Sequence, residues 1–245
     1  MVNIKHNLIG ISGKISSGKD LAGKILNDLS GDIFENKKFA DKLKEIVCLL
    51  IGCTREQLED REFKEKELGE EWWYYKFDDI MLPISDRRLF IQTVNSIVFS
   101  PLDKAEVDTY IVKLTPRKLL QLLGTEAGRQ IIHPDIWVNA LMSGYKKVMR
   151  TNANKQPDLF NYPNWIITDV RFPNEIKAIK DRGGIVIRVN RPLERLGNSK
   201  LPKLKHTSVT KHPSETALDD YDFDHIIENN GSIEDLITKL TNIFQ

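Results

Sequence analysis

The chain has 245 residues, 40% of them hydrophobic, enough for a sizeable core in one large domain or two small ones. Its 36 Lys and Arg balance 35 Asp and Glu, so no global field draws it to nucleic acid or to an anionic membrane. The two cysteines, Cys48 and Cys53, lack metal-ligand spacing and form no disulfide framework, which points to a reducing cytoplasm, and no apolar run approaches the ~20 residues of a membrane span.

The amino terminus enters an apolar strand directly, an expectation that leaves no room for a signal peptide. Leu8 to Asp20 then reads as a buried strand, a glycine loop and a helix start. Gly13, Gly18 and Lys19 have phosphate-loop spacing, with Asp20 where Ser or Thr is usual. Glycines let backbone N–H groups curl around an anion, and the helix dipole adds positive charge at the same point. Lys19 would reach the outer phosphates as a point charge. Asp20 is either a hard oxygen ligand for Mg²⁺ or an acid placed where the helix dipole favours it.

Helix one is expected from Lys19 to Leu29 and a second strand within Ile33 to Ala40. Leu43, Ile46, Val47 and Leu50 predict a helix. Glu56 to Glu71 holds eight acidic and three basic residues, a solvated helix or lid-like loop. The aromatic run Trp72 to Tyr75 offers packing, base stacking or an oligomer contact, so a homodimer stays open. Ile80 to Val112 has no clear period, and 56–112 is taken as an insertion in a single domain spanning 1–245.

Thr115-Pro116 starts a helix with Leu119, Leu120, Leu123 and Ala127 inward and Gly128 near its end. A further helix follows His133-Pro134, carrying Trp137, Ala140, Leu141, Tyr145 and Val148 on one face. Trp165 to Val170 is a strand ending beside Asp169, and Pro173 opens a helix. Asp169 is either a metal- or water-holding acid or the cap of that helix. Arg171 is either a phosphate clamp or a surface ion-pair partner. Ile185 to Val189 is a strand, and the acid-free run Arg195, Lys200, Lys203, Lys205, His206, Lys211 and His212 within 193–212 is a candidate lid. His212, Ser214 and Glu215 form a triad only by sequence proximity, which is poor evidence for one. Ile226-Ile227 and the Ser232/Asp235 capping box mark a last strand and helix. Strands alternating with helices predict an α/β fold with a central parallel sheet covered on both faces and ligands at the strands' carboxyl ends.

Gly13-Lys14-Ile15-Ser16-Ser17-Gly18-Lys19-Asp20 resembles the phosphate loop of phage-type deoxynucleoside monophosphate kinases. Lys38 to Lys44, Thr115-Pro116-Arg117 with Leu119 to Glu126, Asp135 to Val138, Ile167 to Phe172, and His212 to Glu215 with Asn229 to Ser232 resemble the same family. The resemblance covers both ends and the middle but not Glu56 to Val112. It implies an adenylate-kinase-like P-loop kinase that uses ATP and Mg²⁺ to phosphorylate a deoxynucleoside monophosphate in the cytoplasm, the host's if phage-encoded. By motif, Gly13, Lys14, Ser16, Ser17, Gly18, Lys19 and Asp20 would hold the ATP phosphates. Lys44, Arg117, Gln121, Thr125, Arg129, Trp137 and Arg171 would line the monophosphate site. Lys19, Arg129, Asp169 and Arg171 would carry the transfer. Leu21 stands where the family loop often has Thr, so Asp20 and Asp169 are both open as metal contacts. A kinase of another phosphorylated metabolite, of dephospho-coenzyme A or phosphomevalonate type, and a nucleotide-gated binding protein are the alternatives. The implied partners are small nucleotides, with no stable nucleic acid and no membrane.

Overall fold

The computed structural model describes residues 4–98, 102–147, 161–192 and 216–245. Val148 and the basic run from Arg195 to His212, with the tail through Glu215, lie outside the described residues. In chain order the elements are β1 (Leu8–Ser12), α1 (Lys19–Ser30), β2 (Glu35–Lys37), α2 (Asp41–Ile51), α3 (Arg55–Glu59), α4 (Arg61–Glu65), β3 (Trp73–Phe77), β4 (Ile80–Pro83), α5 (Arg87–Asn95), α6 (Lys104–Thr109), β5 (Ile111–Lys113) and α7 (Pro116–Gln121). A π-helical segment (Leu122–Ile132) follows, then α8 (Ile136–Met142), β6 (Trp165–Val170), α9 (Pro173–Lys180), β7 (Ile185–Asn190), β8 (His225–Glu228) and α10 (Ile233–Ile243).

The chain divides into two compact units, residues 1–42 with 133–245, and residues 43–132. The first holds the five-stranded sheet, order β2-β6-β1-β7-β8, with every pairing parallel. Parallel strands need crossovers, and those crossovers leave both faces covered. The two-residue period then sorts the apolar side chains. Ile9, Ile11, Ile166, Ile187 and Val189 pack with Ala22, Ile25 and Leu26 of α1 and Leu236 and Leu240 of α10. Leu8, Ile167, Val170 and Val186 pack the other face with Val138 and Met142 of α8 and Ile176 and Ile179 of α9. Each aliphatic side chain so buried is worth about 1.5–3 kcal/mol. Gly23 permits the close approach of α1 to β6, since a Cβ there would lie 2.6 Å from Thr168 Cγ2.

The second unit contains an antiparallel sheet in the order β4-β3-β5. Within the stretch lacking a clear period, Arg87–Asn95 is a helix and Ile111–Lys113 a strand. The aromatic run partly packs inward: Tyr75 stacks on Phe90 with ring centroids 4.7 Å apart, over Val94 and Val107. The acidic stretch forms the short helices α3 and α4, capped by Thr54 and Asp60.

The helix starting at Thr115-Pro116 runs past Gly128 to Ile132, its last eleven residues π-helical. The wider turn changes the facing set. Gly124, Thr125 and Gly128 are buried there, whereas Leu123 and Ala127 are only half-buried. The 3.6-residue period overstated those two as core positions.

Candidate active site

Apolar β1, the central strand, delivers the chain to the carboxyl end of the first unit's sheet, where the loop 13–18 turns it into α1. Ser17 N–H donates to Lys14 C=O at 3.1 Å. Ser16 and Gly18 adopt left-handed backbone, φ 64° and 96°. That region strains L side chains and suits glycine. Gly18 stands at the N-cap of α1, and no side chain caps this end. An uncapped helix start with a curled loop before it is a place for an anion.

The loop interior is polar. Lys19 is only 9% exposed, and its ammonium donates to Lys14 C=O at 3.4 Å, folding back under the loop. Ser17 is 3% exposed, and its Oγ has no hydrogen-bond partner among the described residues. A buried hydroxyl left without a partner costs about 1–3 kcal/mol unless a ligand or water completes it. A Cβ on residue 13 would lie 2.3 Å from that oxygen and 2.7 Å from the Val189 carbonyl oxygen, and the backbone contact is what calls for Gly13.

Asp20 Oδ1 accepts from Thr168 Oγ1 and from Lys38 Nζ, each at 3.0 Å. Burial raises its pKa, but Lys38, the Thr168 hydroxyl and the Lys19 charge outweigh that, and the carboxyl sits below its ordinary value. Its side chain is 62% exposed, so the carboxylate is ionised and open to a ligand. Asp169 is used differently. Its Oδ1 accepts Phe39 N–H at 2.8 Å and its Oδ2 accepts Ala40 N–H at 3.0 Å. Packing around the carboxyl pushes its pKa up, against the pull of those two N–H groups and of Arg171 and Lys38. The open question of what caps the Pro173 helix is answered by Glu175, not Asp169. The buried Glu175 carboxylate accepts Arg171 N–H at 2.7 Å and Phe172 N–H at 3.1 Å.

Beside the loop lies a recess lined by Ser12, Gly13, Lys14, Val170, Arg171, Arg188 and Leu218. Three cations thus converge at the carboxyl ends of β1, β6 and β7. Arg188 is buried; it donates to Ser12 Oγ at 3.0 Å and to Asn190 Oδ1 at 3.1 Å, and lies 3.6 Å from Asp219. Asp219 also pairs with Lys14 at 2.9 Å. No group of three or more His, Cys, Asp or Glu able to hold a metal occurs among the described residues. The exposed Asp20 carboxylate beside the loop is a donor that fits Mg²⁺ carried in with phosphates, since Mg²⁺ commonly takes one or two carboxylates and fills its shell with phosphate oxygens and water.

The family model "Deoxynucleotide monophosphate kinase" matches residues 92–240. The chain belongs to this family. Deoxynucleoside-5'-monophosphate kinase of Escherichia phage T5 is 28% identical over 234 residues, covering 86% of this chain and 84% of its own. A protein of Acanthamoeba polyphaga mimivirus is 26% identical over 241 residues, 95% of this chain and 93% of its own. The solved dephospho-CoA kinase from Campylobacter jejuni aligns over 97% of this chain and 95% of its own, at 16% identity and a TM-score of 0.36.

The remaining deoxynucleotide kinase motifs divide between the units. Trp137 belongs to the first, 6% exposed on α8. Lys44, Arg117, Gln121, Thr125 and Arg129 belong to the second. There Lys44 pairs with Glu59 at 2.6 Å, and Arg117 pairs with Glu65. Gln121 ends α7, while Thr125 and Arg129 sit on the π-helical segment, Thr125 buried. Glu126 Oε2 on the same segment is buried with no hydrogen-bond partner among the described residues. Arg188, Asp219 and Glu175 had no place in the sequence reading. A lone charge inside the apolar strand Ile185–Asn190 was the available signal for Arg188.

Proposed function

We infer that the chain transfers the γ-phosphoryl group of ATP to a deoxynucleoside monophosphate, giving ADP and the deoxynucleoside diphosphate. The observation that carries this reading is the curled loop, with a buried Ser17 hydroxyl that has no hydrogen-bond partner among the described residues and a buried Lys19, in a chain of the deoxynucleotide monophosphate kinase family.

The loop N–H groups and Lys19 hold the triphosphate. Mg²⁺ arriving with the nucleotide would neutralise charge on the phosphate oxygens, with Asp20 as the protein carboxylate open to it. Asp169 acts as a positioning residue: it fixes residues 39 and 40, next to the Lys38 that holds Asp20. Arg171, its backbone set by Glu175, faces the transferring phosphoryl group from the recess. By family motif, Lys44, Arg117, Gln121, Thr125, Arg129 and Trp137 are the residues that would recognise the acceptor nucleotide. An acceptor phosphate oxygen attacks the γ-phosphorus as the bond to the β-bridging oxygen breaks. That oxygen is already anionic, so no strong base is needed. Catalysis is positioning and charge neutralisation.

No helix among the described residues is long and apolar enough to cross a membrane, and Cys48 and Cys53 are free thiols. The free thiols agree with an enzyme acting on small nucleotides in a reducing cytoplasm, the host's if phage-encoded. Coupled ADP release measured over a panel of deoxynucleoside monophosphates, with dephospho-coenzyme A and phosphomevalonate included, tests the reading. Turnover should require a deoxynucleoside monophosphate. ATP turnover indifferent to every acceptor would overturn it.

A further inference from the structure

The turn after β8 touches the phosphate loop through one side chain. Asn229 Nδ2 donates to the Ser17 carbonyl at 2.8 Å, across 212 positions of sequence. Asn229 is itself fixed, its N–H donating to Asn190 C=O at 2.7 Å as β8 continues alongside β7. Asn190 Nδ2 bonds Glu228 Oε1 at 3.0 Å, and Lys239 of α10 donates to Glu228 C=O at 2.6 Å and Asn230 Oδ1 at 3.0 Å. The amide that reaches the loop is therefore held by a strand, a turn and a helix.

The bond falls on a decisive peptide. In a trans peptide the C=O and the N–H point in opposite directions. Holding the Ser17 carbonyl outward fixes the Gly18 N–H on the opposite, inner side of the loop, where an anion must sit. Gly18 is the left-handed residue at the N-cap, so this peptide is the one whose rotation would undo the cradle. The fit is mutual. A Cβ at residue 18 would lie 2.5 Å from Asn229 Nδ2, so the glycine and the amide occupy one shared space.

We propose that Asn229 is a positioning residue for the nucleotide: its side-chain amide latches the Ser17–Gly18 peptide in the orientation that binds the ATP phosphates. This rests on the reading that the loop binds ATP. The latch makes triphosphate affinity depend on the last strand and helix, which supply no group to the phosphates themselves.

The test uses the full chain and calorimetric titration with ATP. Asn229→Asp keeps the shape but turns a donor toward Ser17 C=O into an acceptor. Asn229→Ala removes the group, and Lys19→Met checks the underlying reading. Asn229→Asp should weaken ATP binding about tenfold or more and Asn229→Ala somewhat less, as expected for a lost hydrogen bond and an added repulsion. In turnover assays KM for ATP should rise while KM for the acceptor and Tm stay near wild type. If Asn229→Asp binds ATP like wild type while Lys19→Met has lost it, the latch is wrong and the loop reading stands. If Lys19→Met also binds ATP normally, both fall. If ATP affinity, acceptor KM and Tm worsen together, Asn229 is only structural and the latch is refuted.

Discussion

The hydroxyl of Thr168 donates to the carboxylate of Asp20 at 3.0 Å, joining the end of β6 to the first turn of α1. The same carboxylate oxygen meets Lys38 Nζ at 3.0 Å. One acidic group thus gathers a strand end, a helix start and the chain leaving β2.

This arrangement has a pH signature. The pKa of folded Asp20 lies below its ordinary value, so its stabilisation is present above the unfolded value and is lost as pH falls through the folded one. The carboxylate is largely exposed, and solvent screening holds the contribution to about 0.5 kcal/mol. Urea unfolding of wild type and Asp20→Asn should therefore differ slightly at neutral pH. The gap should close well below pH ~4, in the acid limb of aspartate. A gap that stays constant with pH would contradict the ionised pairing.

Asp169→Asn should cost about 1–3 kcal/mol, because one of the two N–H groups of Phe39 and Ala40 would face an NH₂ group instead of an acceptor. The urea midpoint reports this directly. ATP affinity should fall less than in a loop variant, since Asp169 acts on the phosphates only through its neighbours. A variant as stable as wild type would remove the positioning role.

Gly23→Ala should destabilise by about 1–3 kcal/mol, the usual range for overpacking. The new methyl would press on Thr168 Cγ2 and push aside the hydroxyl that binds Asp20. Thermal unfolding checks the cost. An unchanged Tm would mean that α1 can move away from β6 freely.

The features legible in the sequence are those set by local rules. Gly13, Gly18 and Lys19 mark the loop because its backbone shape admits few residue types. The core strands are apolar runs because a parallel sheet is covered on both faces. The Ser232 cap of the last helix is confirmed, its Oγ accepting Asp235 N–H at 3.2 Å. Three kinds of feature were not legible. The π-helical segment breaks the period by which core positions are counted, so Leu123 and Ala127 took the place of Gly124 and Thr125. The antiparallel sheet of the second unit is half-exposed and its strands are short, so β3 to β5 carried little pattern. The contacts of Arg188 and Asp219, and the one that Asn229 of the sequence motif makes with Ser17, join partners far away in sequence, which only the folded chain brings near. Glu175 was readable in principle, at capping-box distance from Phe172.

On the proposed mechanism the loop holding Lys19 delivers the γ-phosphoryl group of ATP to a deoxynucleoside monophosphate. The most direct test of that mechanism is chromatographic detection of the deoxynucleoside diphosphate formed from ATP and each monophosphate by wild type and Lys19→Met, the methionine keeping the apolar stem packed. Wild type should form product with at least one acceptor, and the folded variant should lose about a hundredfold or more, in line with removing a charge that stabilises the transition state. Wild-type product yield from Lys19→Met would contradict the mechanism.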